Sequence, residues 1–387
     1  MPLSFNLVHP SEAIKGSISK KLSGKKIILA LTGGIACVEC VKLARQLIRH
    51  GADVYAVMSR EACRIISTIA MEFATGREVI TELGGKVEHV SLDADLMLIA
   101  PCTANTVAKI ALGIADNAVT TFAIAFDGKI LLAPSMHLSM YENEFFKENL
   151  KKCEEKGIGI ILPKIEENKA KMADVDRIVA EVIRELRGDK KGKKILIIGG
   201  ATHEAIDDVR VITNLSSGKM ARAIVSEAYE RGMEVTVWAS FDMPGYIKTK
   251  KFRSVNDLIN LVEKAKEKYD AVINCAAISD FVVDKKKGKI PSGKEIMLKL
   301  KPAPRINPML RKIGKTIVAF KLEEREELLE EKAREMIARD GVDIVIGNTV
   351  ESLGKDTAKI WIMDKNGVLA TAKGKKEEIA EKIIDLI

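Results

Sequence analysis

Aromatic side chains make up only 4% of this 387-residue chain, with two tryptophans and five tyrosines. The stacking platforms on which single-stranded nucleic acids lie are therefore scarce. The six cysteines, Cys37, Cys40, Cys63, Cys102, Cys153 and Cys275, are scattered, which argues against a disulfide framework. Cys37 and Cys40 make one C-x-x-C, but no second pair completes a zinc site. No apolar run reaches the roughly 20 residues that a membrane helix needs. The opening MPLSFNLVHPSEAIKG has no basic stretch followed by an apolar core and cleavage site. A cytoplasmic protein is expected, with neither membrane nor nucleic acid as a partner. Missing as well are the dinucleotide fingerprint G-x-G-x-x-G and the P-loop, so a standard nicotinamide enzyme or P-loop ATPase is disfavoured.

What the chain does contain is apolar substance, 47% of its residues, and charge of both signs, 62 Lys and Arg against 54 Asp and Glu. The surplus of +8 suits solubility and small anionic ligands. The segment KKIILALTGGIACVECVKLARQLIRHGADVYAVMSREA reads as strand, glycine turn, amphipathic helix and second strand, one βαβ unit. From Lys193, KKILIIGGATHEAIDDVRVITNLSSGKMARAIVSEAYERGMEVTVWAS repeats that logic with a longer loop before its helix. Between the two starts lies the charged RELRGDKKGKK, residues 184–194, the natural boundary. The expected division is an extension over 1–24 and domains over 25–187 and 188–387.

Strands are expected near 27–31, 53–58, 95–100, 130–133 and 159–162, then near 195–198, 234–238, 271–274, 317–320 and 343–346, alternating with helices. The fold class is α/β: two Rossmann-like three-layer domains with mainly parallel sheets. Ligands then belong at the carboxyl ends of the strands. There the stretch PCTANT, residues 101–106, crowds small polar groups into a turn at a helix start, a good place for an anion.

The motifs TGGIA, EHVSLDAD, PCTANT, ADN and PSMHLSMY, in that order, resemble the flavin-dependent cysteine decarboxylases. ITNLSSGKMARAI, NCAAISDF, KIPSGK and AFKLEE resemble phosphopantothenate–cysteine ligase. The chain from about residue 25 is thus similar to the family of bifunctional coenzyme A biosynthesis proteins, in an archaeal-like form, and a flavodoxin-like flavoprotein domain followed by a ligase domain is implied.

For the first domain the resemblance implies flavin mononucleotide (FMN) against Thr32, Gly34, Ile35, Ala36, Ser59, Pro101, Thr103, Ala104 and Asn105. His89 would be the base, and His137, where the family has Asn, would join Met140 in binding substrate. The flavin would oxidise the cysteinyl carbon to a thioaldehyde, carbon dioxide would leave, and the hydride would return. The clamp cysteine of the bacterial proteins is missing from LPKIEENKAKMAD, which leaves Cys102 as the expected acid, ahead of a helix-surface Cys153.

For the second domain it implies that 4′-phosphopantothenate attacks a nucleoside triphosphate and that cysteine then takes the acyl group. Asn214 would hold the acyl-nucleotide, with Ser216, Ser217, Gly218, Lys219, Ala276 and Phe320 as binding residues. Asp280 would serve Mg²⁺ (or Mn²⁺), and Lys289 the triphosphate charge. CTP is the expected cosubstrate with ATP as the alternative, because Met336 and Asp340 stand where bacterial ligases carry lysines. Homo-oligomers built from trimers, up to a dodecamer, are implied. The alternatives are a non-catalytic flavoprotein-like regulatory subunit and a ligase with a degenerate decarboxylase domain.

Overall fold

A computed structural model describes residues 8–85, 87–293 and 295–387. Met1–Leu7 of the expected extension, and Lys294 of KIPSGK, lie outside the described residues. The chain divides into two compact units, Met1–Gly188 and Asp189–Ile387.

In the first unit, strands β1 (Lys26–Leu31), β2 (Asp53–Met58), β3 (Leu96–Cys102), β4 (Lys129–Pro134) and β5 (Gly159–Ile160) form a parallel sheet in the order β2-β1-β3-β4-β5. Helices α1 (Cys40–Arg49), α2 (Thr68–Thr75), α3 (Ala104–Ala111), α4 (Ala118–Ala125), α5 (Glu144–Glu155) and α6 (Val175–Arg187) cover it. Because side chains alternate along a strand, the apolar run of β1 feeds two cores at once. Ile27, Leu29 and Leu31 pack with Leu43 and Leu47 of α1 and Ile178 and Val182 of α6. Ile28 and Ala30 pack with Val107, Phe122 and Phe146 on the other face. Helix α1 meets its core through Cys40, Leu43, Ala44, Leu47 and Ile48, a stripe of helical period. Ahead of β1, a short helix, Pro10–Ile14, packs on α1 and α2, and Leu22 is fully buried.

The second unit repeats the scheme on a wider sheet. Its strands are β6 (Lys194–Gly199), β7 (Glu234–Ala239), β8 (Lys248–Lys251), β9 (Tyr269–Asn274), β10 (Gly314–Glu323), β11 (Ile344–Thr349), β12 (Thr357–Asp364) and β13 (Gly367–Lys375), in the order β8-β7-β6-β9-β10-β11-β12-β13. The strands β8 to β11 run parallel, and β12 and β13 close the edge as an antiparallel hairpin. Helices α7 (Lys219–Glu230), α8 (Val255–Glu263), α9 (Leu329–Asp340) and α10 (Lys376–Asp385) lie on its faces. Again the first strand divides its side chains, Ile195 and Ile197 to one core, Leu196 and Ile198 to the other. In each sheet the strand order reverses beside the first strand, between β1 and β3 and between β6 and β9. Crevices for ligands open at such switch points.

Candidate active sites

At the first switch point the turn after β1 is tied to the turn after β3. Thr32 Oγ1 donates to the Pro101 carbonyl at 2.6 Å and accepts from the Thr103 amide at 3.0 Å. Cys37 Sγ donates to the Thr32 carbonyl at 3.0 Å, within the turn after β1, and Cys40 Sγ donates to that of Ala100 at 3.2 Å, which ties the start of α1 to the end of β3. Burial pushes the Cys37 thiol up to about 11, which keeps it protonated. Thr103 caps α3: its Oγ1 accepts from the Thr106 amide and lies 3.1 Å from Thr106 Oγ1. Part of the polar crowding in PCTANT thus serves the helix start itself, and Asn105 stays exposed.

A third turn joins them. Ser59 follows β2, donates its amide to the Leu31 carbonyl at 3.0 Å and caps the next short helix by accepting from the Ala62 amide. A Cβ on Gly33 would stand 2.4 Å from the Cβ of Glu61. Only glycine lets the turn carrying Thr32 approach the turn carrying Ser59 so closely. Thr32, Gly34, Ser59, Pro101 and Thr103 are gathered here, with Ile35 and Ala36 opening the 3-10 helix Ile35–Glu39.

His89 stands half-buried on the short helix Glu88–Ser91, its ring edge-on to Phe122 at 6.4 Å between centroids. Its Nδ1 is buried without a hydrogen-bond partner among the described residues, and an unpartnered imidazole nitrogen is available to a ligand. His137 is exposed, with Nδ1 3.2 Å from Ser139 Oγ. It pairs with Lys169 on the edge of the hairpin Lys164–Lys171, and Met140 follows, half exposed.

The thiol expectations need correction. Alternation along β3 would put Cys102 with Leu98 and Ala100, but a register shift between Ile99 and Cys102 turns it to the Ile99 face. There it is fully buried beside Val107 and Ile110 of α3, and burial raises its thiol far above the usual range. Cys153, expected on a helix surface, is only 1% exposed, because it shares the inward stripe of α5 with Phe146 seven residues earlier. Neither thiol is a suitable proton donor to a substrate.

The second switch point opens into a cleft of about 850 Å³. Asn214, Ser216, Ser217, Gly218, Lys219, Ala276, Asp280 and Phe320 all line it. Asn214 Nδ2 donates to the carbonyls of Ala277 and Ile278 at 3.3 and 3.1 Å, which fixes the loop after β6 to the loop after β9. Gly218 opens α7 with φ +68°, and a Cβ there would meet the Phe241 ring at 2.6 Å. Left-handed backbone and contact with the ring both demand glycine. The wall also holds side chains to which the resemblance gave no role. Asn274 Nδ2 donates to Asn307 Oδ1 at 2.7 Å, and Asp340 is buried against Arg339 at 2.7 Å and Arg305 at 3.7 Å. Met336 is in the wall too, so that part of α9 presents no lysine. Cys275 donates to the Ile198 carbonyl, and burial pushes its thiol up to about 12.

Lys289 is exposed on a loop outside this wall. Asp207 and Asp208 pin that loop: Asp207 accepts from the Ile290 amide at 3.0 Å and Asp208 from the Gly288 amide at 2.9 Å. Among the described residues no group of three or more His, Cys, Asp or Glu side chains is arranged to hold a metal, and no helix is long and apolar enough to cross a membrane.

Two doubly wound sheets, each with a glycine turn and a helix start at its switch point, define a two-domain α/β protein of the nucleotide-binding type. A Flavoprotein family model matches residues 15–187, and one for the DNA/pantothenate metabolism flavoprotein C-terminal domain matches residues 190–387. A coenzyme A biosynthesis bifunctional protein CoaBC from Thermococcus kodakarensis is 43% identical over 399 residues, spanning 98% of this chain and 99% of its own. The CoaBC protein of Methanocaldococcus jannaschii is 39% identical over 397 residues, 98% of each chain. Among solved structures, the DNA/pantothenate metabolism flavoprotein of Streptococcus pneumoniae aligns with 25% identity and a TM-score of 0.45, covering 50% of this chain and 98% of its own. The chain belongs to the CoaBC family of bifunctional coenzyme A biosynthesis proteins. Its first unit is the phosphopantothenoylcysteine decarboxylase, a lyase, and its second is the phosphopantothenate–cysteine ligase.

Proposed function

We propose that the ligase cleft joins cysteine to 4′-phosphopantothenate through an acyl-nucleotide. The carboxylate displaces pyrophosphate from a nucleoside triphosphate, and the amine of cysteine then displaces the nucleotide. The observation that carries this reading is the single wall shared by Asn214, Ser216, Ser217, Gly218, Lys219, Ala276, Asp280 and Phe320. Amides at the start of α7 and the Lys219 ammonium suit phosphate oxygens, and Asp280 suits a magnesium or manganese ion that those oxygens also hold. Lys289 adds outer counter-charge. CTP is the proposed cosubstrate; Met336 and Asp340 in the wall keep ATP as the alternative.

In the first unit we propose FMN at the joined turns after β1, β2 and β3. The cradle opened by Gly33, the helix-start amides beside Gly34 and Thr103, and the Ser59 hydroxyl fit a phosphate-bearing flavin. Bound there, FMN supplies the electron sink that a cysteinyl carboxylate lacks. His89 then takes or returns a proton at its unpartnered nitrogen, and His137 holds the substrate carboxylate. Exposed Ile35, Val38 and Val90 near these residues support a trimer-based oligomer, extended to a dodecamer through ligase pairs. The reaction partners are small molecules of the cytoplasm.

Two measurements test the reading. The purified protein should be yellow, and a colourless protein that takes up no FMN on reconstitution would remove the cofactor proposal. Pyrophosphate release should require 4′-phosphopantothenate together with CTP or ATP. Running the two nucleotides side by side identifies the cosubstrate, and release with neither defeats the cleft assignment.

A further inference from the structure

Lys376 is the first residue of α10 and lines the ligase cleft, yet it is only 7% exposed. Its surroundings do not explain why a lysine is there. Its backbone amide donates to the Asp356 carbonyl at 2.9 Å, but its ammonium has no carboxylate within ion-pair distance among the described residues. Asp356, whose charge acts on it, is committed to Lys219 at 2.6 Å, and that second ammonium also reaches the Gly354 carbonyl at 3.1 Å. Glu378 spends an oxygen on the Lys375 amide at 3.0 Å. Burial and the neighbouring Lys219 push the Lys376 ammonium below its usual range, against the weaker pull of Asp356 and Glu377.

Three costs coincide at this residue. A buried cation without a partner loses hydration, a second lysine repels it, and the start of a helix carries partial positive charge. An apolar side chain of the same length would suit the free fold better. Helices α7 and α10 pack on each other, and the first residues of both, Lys219 and Lys376, line one cleft. Together they supply two ammonium groups and the free amides of a twelve-residue helix behind Gly218. All three costs reverse when an anion is bound there.

We propose that Lys376 is an anion-holding residue of the ligase cleft, its ammonium meeting a phosphate group of a bound substrate. This rests on the ligase reading above. Both a nucleoside triphosphate and 4′-phosphopantothenate bring phosphate, so the shared chemistry is assigned and the test separates the sources.

The experiment uses the full chain with Lys376→Met, which keeps length and removes charge, and Lys376→Arg, which keeps charge. Lys376→Met should bind inorganic pyrophosphate about tenfold more weakly or worse by calorimetry, the scale of a lost charged hydrogen bond. One KM should rise by a similar factor with a smaller change in kcat. A higher KM for nucleotide assigns the phosphate to the triphosphate, and a higher KM for 4′-phosphopantothenate assigns it to that substrate. The thermal midpoint of Lys376→Met should hold or rise, and Lys376→Arg should keep most of the affinity. Unchanged pyrophosphate binding with both KM values unchanged overturns the inference. So does a Lys376→Met protein that fails to fold or melts earlier, because the side chain would then serve the free structure. A wild-type protein that releases no pyrophosphate strikes the ligase reading itself, a different result from either.

Discussion

At the first switch point the polar side chains are spent on backbone groups: Thr32 bridges the Pro101 carbonyl and the Thr103 amide, Thr103 caps α3, and Ser59 caps its own helix. At the second, the wall includes three lysines, Lys219, Lys321 and Lys376, and exposed Asn214 and Asp280 around open volume. The first arrangement offers shape and backbone amides, as suits a cofactor that stays bound. The second offers charged side chains around an open cleft, as suits substrates that arrive, react and leave. The first site should therefore be sensitive to steric change and tolerant of salt, and the second the reverse.

The largest expected effect is chemical and confined to one unit. His89→Asn should retain flavin and ligase activity while losing decarboxylation by ~10²-fold or more, the usual scale for a general acid–base. Turnover close to wild type would show that His89 is not the base. On the other side of the comparison, Asn214→Asp should cut amide formation by at least about tenfold. A carboxylate there would face the Ala277 and Ile278 carbonyls and the acyl-phosphate together. Equal loss of decarboxylation when that reaction is given its own substrate would mean that the damage is not local.

Sterics should dominate at the first site. Gly33→Ala drives a methyl into Glu61 and should loosen flavin about tenfold, while ligation stays intact. Combining it with Glu61→Gly should restore much of the affinity. A double variant no better than the single one would mean that this close approach is not what holds the cradle. Cys102→Ser should leave the rate of decarboxylation within a few-fold and lower stability by about 1 to 3 kcal/mol, the cost of burying a hydroxyl without a good partner. Accumulation of an oxidised product would restore Cys102 as the acid.

Where apolar runs alternate with helical stripes, the fold was legible. The strands IILAL and ILII follow from their composition, and the motif residues of both sites fall at strand ends. What escaped reading depends on distant neighbours. The strand KTKK shows no apolar pattern and exists by pairing along β7. The hairpin of β12 and β13 has one largely exposed strand, so its sequence resembles a loop. Cys153 lies in NLKKCEEKG, where local polarity hides the seven-residue spacing to Phe146. Lys376 in KGKKEEIAEK stands among charged residues, and its burial shows only in the wall of the cleft. The burial of Cys102 follows from a register shift in β3, which a single strand's sequence does not reveal.

The smallest effect concerns the loop that carries Lys289. Asp207 accepts from the amides of Val209, Arg210 and Ile290 at 2.8, 2.7 and 3.0 Å, with the Arg210 guanidinium at 3.1 Å. These donors favour the charged form and lower its pKa to about 2. An unfolded aspartate titrates near about 3.9. A folded value below the unfolded one means that the anchor contributes fully above pH ~4 and is lost as pH falls from about 4 to about 2. Asp207→Asn keeps the shape but turns an NH₂ toward amides that themselves donate, so the loop should loosen at neutral pH and the charged donors lose their partner. Comparing thermal midpoints of wild type and Asp207→Asn from pH 5 down to pH 2 should show the two curves converging as acid removes the wild-type anchor. Parallel curves across that window would mean that Asp207 does not titrate with the loop. The KM for triphosphate should rise by no more than a few-fold in the variant, because Lys289 lies outside the wall while Lys219 and Lys376 remain in it.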